Sequence, residues 1–148
     1  NVKIPITNSK GLSTAKLISK LSSNGVVCNV TAIFTFNQIK DVMKLLPKDT
    51  KIILSIFAGR IADSGKDPEE LLRKIKKYLK SYKNVKLLWA STREVFNIFQ
   101  AARSGCDIIT VPYGILSKLK YIGKNQTTFS LETVKMFKDD AKKAGYKI

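Results

Sequence analysis

Three kinds of residue in this sequence stand where apolar chain would be expected, and each could do chemistry. Lys3 lies in the apolar run VKIPIT. An unpaired ammonium is expensive to bury, so either its head reaches solvent or it is held as a neutral amine. A neutral amine is what attack on a carbonyl carbon to form a Schiff base requires. Lys51 and Lys86 also open apolar runs, so a stem lying on the surface with its head in water is the competing reading. In VVCNVTAIF, Asn29 and Thr31 are two residues apart and share one face of a strand; Ser55 and Phe57 in KIILSIFAGR do the same. A buried amide or hydroxyl without a partner costs about 1 to 3 kcal/mol. Inward polar groups on successive strands therefore point to a hydrogen-bonding site for a polar ligand, unless backbone or water satisfies each one locally.

Arginine adds a third signal. Of the four arginines, Arg60 and Arg93 fall just past two apolar runs, whereas Arg73 and Arg103 sit inside helical stretches. In a chain that otherwise chooses lysine, an arginine at the end of a strand suits bidentate recognition of phosphate or carboxylate. Each reads equally as a surface arginine or a residue packing a helix start.

Composition narrows the chemistry. The 148 residues carry 27 Lys and Arg against 11 Asp and Glu, a formal charge of +16, with no histidine. Histidine-based nucleophile arrangements and the usual zinc and haem sites are excluded, while lysine chemistry stays allowed. At 44% hydrophobic and 26% charged the chain is too apolar for intrinsic disorder. Its length fits one domain, spanning 1–148, with no linker or internal repeat. Cys28 and Cys106 both lie in apolar stretches, which predicts reduced, buried thiols in a cytoplasmic protein. No window approaches the roughly 18 apolar residues of a membrane helix, and NVKIPITNSK lacks the core of a signal peptide. The chain opens inside an apolar segment with Asn rather than Met, which reads as a truncated beginning.

The elements that must position these residues alternate throughout. Strands are expected at 1–7, 26–34, 51–58, 85–91 and 107–112, with helices between them. Asn24-Gly25 and Pro47 end the first two helices, GRIADSGKD reads as a loop, and Pro68-Glu69 opens a long helix. Ser130 is the expected cap of the last helix, which stacks Val134, Phe137, Ala141 and Ala144. Near-continuous apolar strands between amphipathic helices predict a parallel sheet covered on both faces. Periodicity alone leaves an open flavodoxin-like sheet or the last five units of a TIM (β/α)8 barrel.

The blocks VKIPIT, NVTAIFT, SIFAGRIAD, WASTRE and GCDIITVP, in that order, resemble the transaldolase family of class I aldolases, including its short members and the fructose-6-phosphate aldolases. The resemblance runs over essentially the whole chain. It implies the C-terminal five units of a (β/α)8 barrel, strands four to eight and the C-terminal helix, with the first three units absent. It further implies that Lys3 is the Schiff-base lysine and that Thr31 helps hold the catalytic water. Asn29 and Ser55 would contact the donor sugar, and Arg60 and Arg93 would bind phosphate. Phe57 stands where the transaldolases tend to have Phe and the simple aldolases Tyr. Ile56 departs from the proline usual after this serine. The family also draws an aspartate and a glutamate from its first and third strands, which this sequence does not contain. Among strand acids only Asp107 is present, at the wrong end of its strand.

The implied reaction moves a three-carbon ketol unit between sugar phosphates with no metal or organic cofactor, because the iminium itself supplies the electron sink. Turnover of so short a piece is expected to be low, and its open strand edges favour self-association. Short family members form ring-like homo-oligomers through the C-terminal helix. A fructose-6-phosphate aldolase-like enzyme on another sugar is the nearest alternative. A basic nucleic-acid-binding module is the distant one. Against it, Phe34, Phe36, Trp89, Phe96 and Phe99 fall at core spacings and no nucleic-acid motif is present. The lysines and arginine of 73–83 read as a solvated helix face, leaving Arg60 and Arg93 as the anion readers.

Overall fold

Each of the five apolar runs forms a strand in the computed structural model, which describes residues 1–146. They are β1 (Val2–Pro5), β2 (Cys28–Ile33), β3 (Ile52–Ile56), β4 (Val85–Trp89) and β5 (Ile108–Ile109). All pair in parallel, in the spatial order β1-β2-β3-β4-β5. A flavodoxin-like sheet reverses direction from its first strand, giving order 2-1-3-4-5 and helices on both faces. Sequential order with right-handed crossovers instead keeps the helices that connect the strands on one side, as in consecutive units of a (β/α)8 barrel. The open flavodoxin-like alternative is thereby corrected.

Burial shows the same asymmetry and corrects the expectation of two helix-covered faces. Cys28, Val30, Ile52, Leu54, Leu87 and Trp89 are at most 1% exposed and share the core with Ile18, Ile39, Leu72, Ile75 and Ala101 of the helices. Those helices, α1 (Ala15–Ser23), α2 (Phe36–Met43), α4 (Pro68–Tyr78) and α5 (Phe96–Arg103), pack side by side. The opposite face carries the register row Lys3, Asn29, Ile53 and Lys86, none of them buried.

Local chemistry sets the helix ends. Thr35 and Gln38 form a reciprocal capping box at α2, and Asp67 accepts from the Glu69 N–H with Pro68 in the first turn of α4. GRIADSGKD is not wholly a loop, because Ala58–Asp63 form a short helix, α3. Six residues are too few to show a period, and only the burial of Ala58, Gly59 and Ile61 reveals its packed side. β5 is shorter than expected: it pairs only at Ile108 and Ile109, opposite the last two residues of β4, and beyond them the Thr110 N–H donates to Trp89 O at 3.1 Å.

The chain divides into two compact units, Asn1–Leu116 and Ser117 onward. The first holds the sheet, α1 to α5 and α6 (Tyr113–Leu116); the second holds a 3-10 turn (Leu119–Tyr121) and α7 (Gln126–Lys143). α7 starts before Ser130, since Asn125 is the residue whose side chain accepts from the Thr128 N–H. Val134 and Phe137, expected to stack, are exposed, and no residue of α7 is buried. Within this unit Tyr121 stacks on Phe129 at 5.3 Å. Of the five aromatics expected in the core, Trp89 is buried and Phe36 packs against the core, whereas Phe34, Phe96 and Phe99 are exposed. Among the described residues no helix is long and apolar enough to cross a membrane.

Candidate active site

The face of the sheet away from the helices gathers the polar residues of the first three strands. Lys3 on β1 is exposed and lies beside Asn29 of β2 in the parallel register. Across the next strand the Ser55 hydroxyl, fully buried, donates to Asn29 Oδ1 at 2.6 Å. That bond fixes the amide and leaves its NH2 group without an intramolecular partner among the described residues. Thr31, two residues on from Asn29, is 7% exposed and its Oγ1 is buried with no hydrogen-bond partner. Buried hydroxyls are normally paired, so an orphan beside an amide and an amine marks a place built for something other than packing.

β2 reaches this arrangement through a bulge. Val30 opposes Leu54 and Ile33 opposes Ile56, so three residues of β2 advance against two of β3. Ala32 is the irregular residue, at φ 58°. The extra residue returns Ile33, fully buried, to the helix face while Thr31 keeps the face of Asn29. A left-handed alanine costs about 1 to 2 kcal/mol, which the surrounding packing must offset. Ser91, just past β4, is also left-handed at φ 63°. These two are the positive-φ residues other than glycine among those described, and both lie at C-terminal ends of strands carrying the site.

The arginines stand at the same ends. Phe57 precedes α3, lies 5.8 Å from the Phe34 ring, and carries the Arg60 guanidinium over its own ring at 5.6 Å. Arg93 donates to Asp63 Oδ2 at 2.6 Å, and its backbone N–H donates to Asn97 Oδ1 at 2.8 Å. Both guanidinium groups reach solvent. Gly59 makes the close approach of α3 to the turn before Arg93 possible. Its N–H donates to Ala90 O, and a Cβ there would lie 1.6 Å from Ser91 O.

The sequence matches the family described as Transaldolase/Fructose-6-phosphate aldolase over residues 1–148. The chain belongs to this family. A probable transaldolase of Nitrosopumilus maritimus is 38% identical over 120 residues, covering 80% of this chain and 50% of that protein. One from a Thermoanaerobacter species is 34% identical over 148 residues, covering 99% of this chain and 62% of that protein. The chain thus spans about half to three fifths of the curated relatives it matches. Membership in the transaldolase/fructose-6-phosphate aldolase family agrees with the one-sided sheet, which corresponds to the C-terminal part of a barrel domain.

Asp107 is the strand acid already noted, and it stands far from this chemistry. It accepts from the Leu87 N–H at 2.8 Å and pairs with Lys76 at 3.0 Å, at the N-terminal edge of the sheet. Burial alone would raise its pKa, but the Leu87 N–H and the Lys76 ammonium outweigh that and hold it below the usual carboxylate range. Both cysteines are free; Cys28 is buried, and burial pushes the half-buried Cys106 thiol up to about 12. Three contributors carried no sequence signal in advance: Ala32 with its bulge, Gly59 with its close approach, and Asp63 as the clamp on Arg93. Glycine before an arginine in AGR is the one local hint, and it has meaning only once Ser91 is seen against it.

Proposed function

We propose that this chain supplies the lysine and phosphate side of a Schiff-base aldol transfer that moves a three-carbon ketol unit between sugar phosphates. The observation that carries the reading is the cluster of Lys3, Asn29 and Ser55, an amine beside an amide in register that a buried hydroxyl two residues further along the next strand holds in place. In this mechanism the neutral Lys3 amine attacks the ketone carbon of a ketose phosphate and water leaves. The resulting iminium accepts the electron pair of the breaking bond between carbons three and four, releasing an aldose phosphate. The enamine left on Lys3 adds to a second aldose phosphate, and hydrolysis returns the free lysine.

Asn29 and Ser55 hold the hydroxyls of the three-carbon unit, and the unpartnered Thr31 hydroxyl suits a bond to the water lost and regained. Arg60 and Arg93 lie past the strand ends with both guanidinium groups open to solvent, and their forked donors suit a phosphate. Proton transfers at the sugar hydroxyls need a carboxylate, and Asp107 is at the wrong end of the sheet for it. In this reading those acids come from barrel strands outside the 148 residues, as do the units that complete a single barrel domain. Phe57 favours transfer over simple aldol cleavage, on the family pattern.

The phosphate assignment is tested by borohydride trapping in the full-length protein with fructose 6-phosphate and with unphosphorylated fructose. Arg60→Ala and Arg93→Ala are expected to lower trapping with the phosphorylated donor at least tenfold and to leave the weaker trapping with fructose unchanged. Equal losses with both donors would refute a phosphate role for the pair.

A further inference from the structure

A second charged site lies at the opposite end of the strands. A cleft of about 560 Å³ opens at the N-terminal edge of the sheet, between the end of α4, the starts of β4 and β5, and the end of α5. Seven cations line it, Arg73, Arg103 and five lysines, against Asp107 as the one carboxylate. Three of the cations are already paired: Arg73 and Arg103 with Glu69, and Lys76 with Asp107. Lys77, Lys80, Lys83 and Lys86 have no ion-pair partner among the described residues and converge from the helix end and from β4 onto one concavity. Four unpaired ammonium groups around one cleft repel one another, so the arrangement is eased by any multivalent anion that enters.

Two further features indicate a ligand rather than a solvated helix face. Ser104 lines the cleft, is 3% exposed, and its Oγ has no hydrogen-bond partner. A buried hydroxyl without a partner is uncommon in a folded protein, and this one lines the same cleft as the unpaired lysines. The end of α5 carries partial negative charge, so helix dipoles do not account for an anion site here; the side chains must. The cleft is also bordered by Leu79 and by the half-buried Tyr82, whose ring lies 5.9 Å from Tyr78. These give the concavity an apolar wall beside its cations.

We propose that this cleft binds a compact chain of two or more phosphoryl groups, either free or as the tail of a nucleotide. Point-charge lysines suit such a ligand, which presents several oxyanions within a few ångströms, better than they suit a single bidentate carboxylate. Lys77, Lys80, Lys83 and Lys86 meet the phosphoryl oxygens, and the Ser104 hydroxyl supplies a directional bond. The site is distinct from the sugar-phosphate reading: none of Lys3, Asn29, Ser55, Arg60 or Arg93 lines this cleft, although Lys86 shares the register row of Lys3 and Asn29.

Calorimetry on the full-length protein at about 150 mM salt, where long-range surface attraction is screened beyond roughly 8 Å, tests this with sodium tripolyphosphate and with ATP. Saturable one-to-one binding is expected for tripolyphosphate. Tighter binding of ATP would assign Tyr82 to a base, and equal binding would assign the phosphates alone; either supports the site. Lys80→Glu with Lys83→Glu, both exposed positions, is expected to weaken binding at least tenfold. Lys138→Glu with Lys142→Glu on α7, an equal change of net charge, should leave it unchanged, and Ser104→Ala should weaken it several-fold. Absence of saturable binding overturns the proposal. So do equal losses in the two double variants, or binding of a single-stranded oligonucleotide without binding of tripolyphosphate.

Discussion

Gly59→Ala is expected to destabilise the protein, although the helical setting alone predicts the reverse. Gly59 lies in α3 with an ordinary negative φ, so replacing it by alanine should gain about 1 kcal/mol of helix propensity. The added Cβ would stand 1.6 Å from Ser91 O and 2.8 Å from Ser91 C. Both atoms are backbone, so no side-chain rotation relieves the overlap. Restoring even 3.0 Å requires α3 or the Ala90–Arg93 turn to move by about 1.4 Å, the difference from the distance above. Overpacking of this kind costs about 1 to 3 kcal/mol or more, and loss of the Gly59 N–H to Ala90 O bond adds about 1 kcal/mol. Net of the helix gain, the expected loss is about 1 to 3 kcal/mol, or roughly 3 to 10 °C in Tm for a domain of this size. Urea unfolding measures it directly. The displaced turn carries Arg93, so protection of Arg93 by inorganic phosphate against phenylglyoxal should also fall. A Gly59→Ala protein at least as stable as the parent would refute the close-approach argument.

Other substitutions probe the remaining contacts. Ala32→Gly should raise stability by up to about 1 kcal/mol and Ala32→Val lower it by more than that, because a β-branched residue resists positive φ; thermal melts separate the two. Ser55→Ala leaves Asn29 Oδ1 unpaired, which should cost about 1 to 2 kcal/mol and reduce Schiff-base trapping at saturating donor. Glu69 accepts from Arg103 at 2.7 Å and Arg73 at 3.0 Å, and the Arg103 bond, opposed by burial, holds its carboxyl below the usual range. A carboxyl depressed by folding stabilises fully above its unfolded pKa of about 4.3 and loses that contribution as pH falls through the folded value. Glu69→Gln should therefore flatten the fall in Tm below about pH 4.5; an unchanged acid slope would refute the pairing as a source of stability.

Much of the fold was legible because parallel strands write themselves as apolar runs of near-fixed length, and all five were visible that way. The order of the strands was not, since periodicity is the same in a barrel and in a doubly wound sheet; crossover geometry decides it. The two-residue period of a strand could place Asn29 with Thr31 and Ser55 with Phe57. The 2.6 Å bond between Asn29 and Ser55 could not be read that way, because it depends on register across two strands. The bulge at Ala32 and the turn at Ser91 were invisible for a different reason. Tertiary packing imposes positive φ there on residue types that rarely accept it, so no local signal exists. The clamp of Asp63 on Arg93 spans 30 residues and starts from a short helix whose sequence reads as a loop. The basic face of α4 reads as solvated on a helical wheel, which shows that it faces away from the core but cannot show that Val85, Lys86 and Ser104 border a cleft beside it.

The central claim is that Lys3, among the many lysines of this chain, is the one that forms the covalent link to substrate. Borohydride reduction of the full-length protein with fructose 6-phosphate, followed by peptide mass mapping, tests it most directly. A three- to six-carbon adduct is expected on the peptide that carries Lys3, abolished in Lys3→Met. An adduct confined to any other lysine, or none at all, would contradict it.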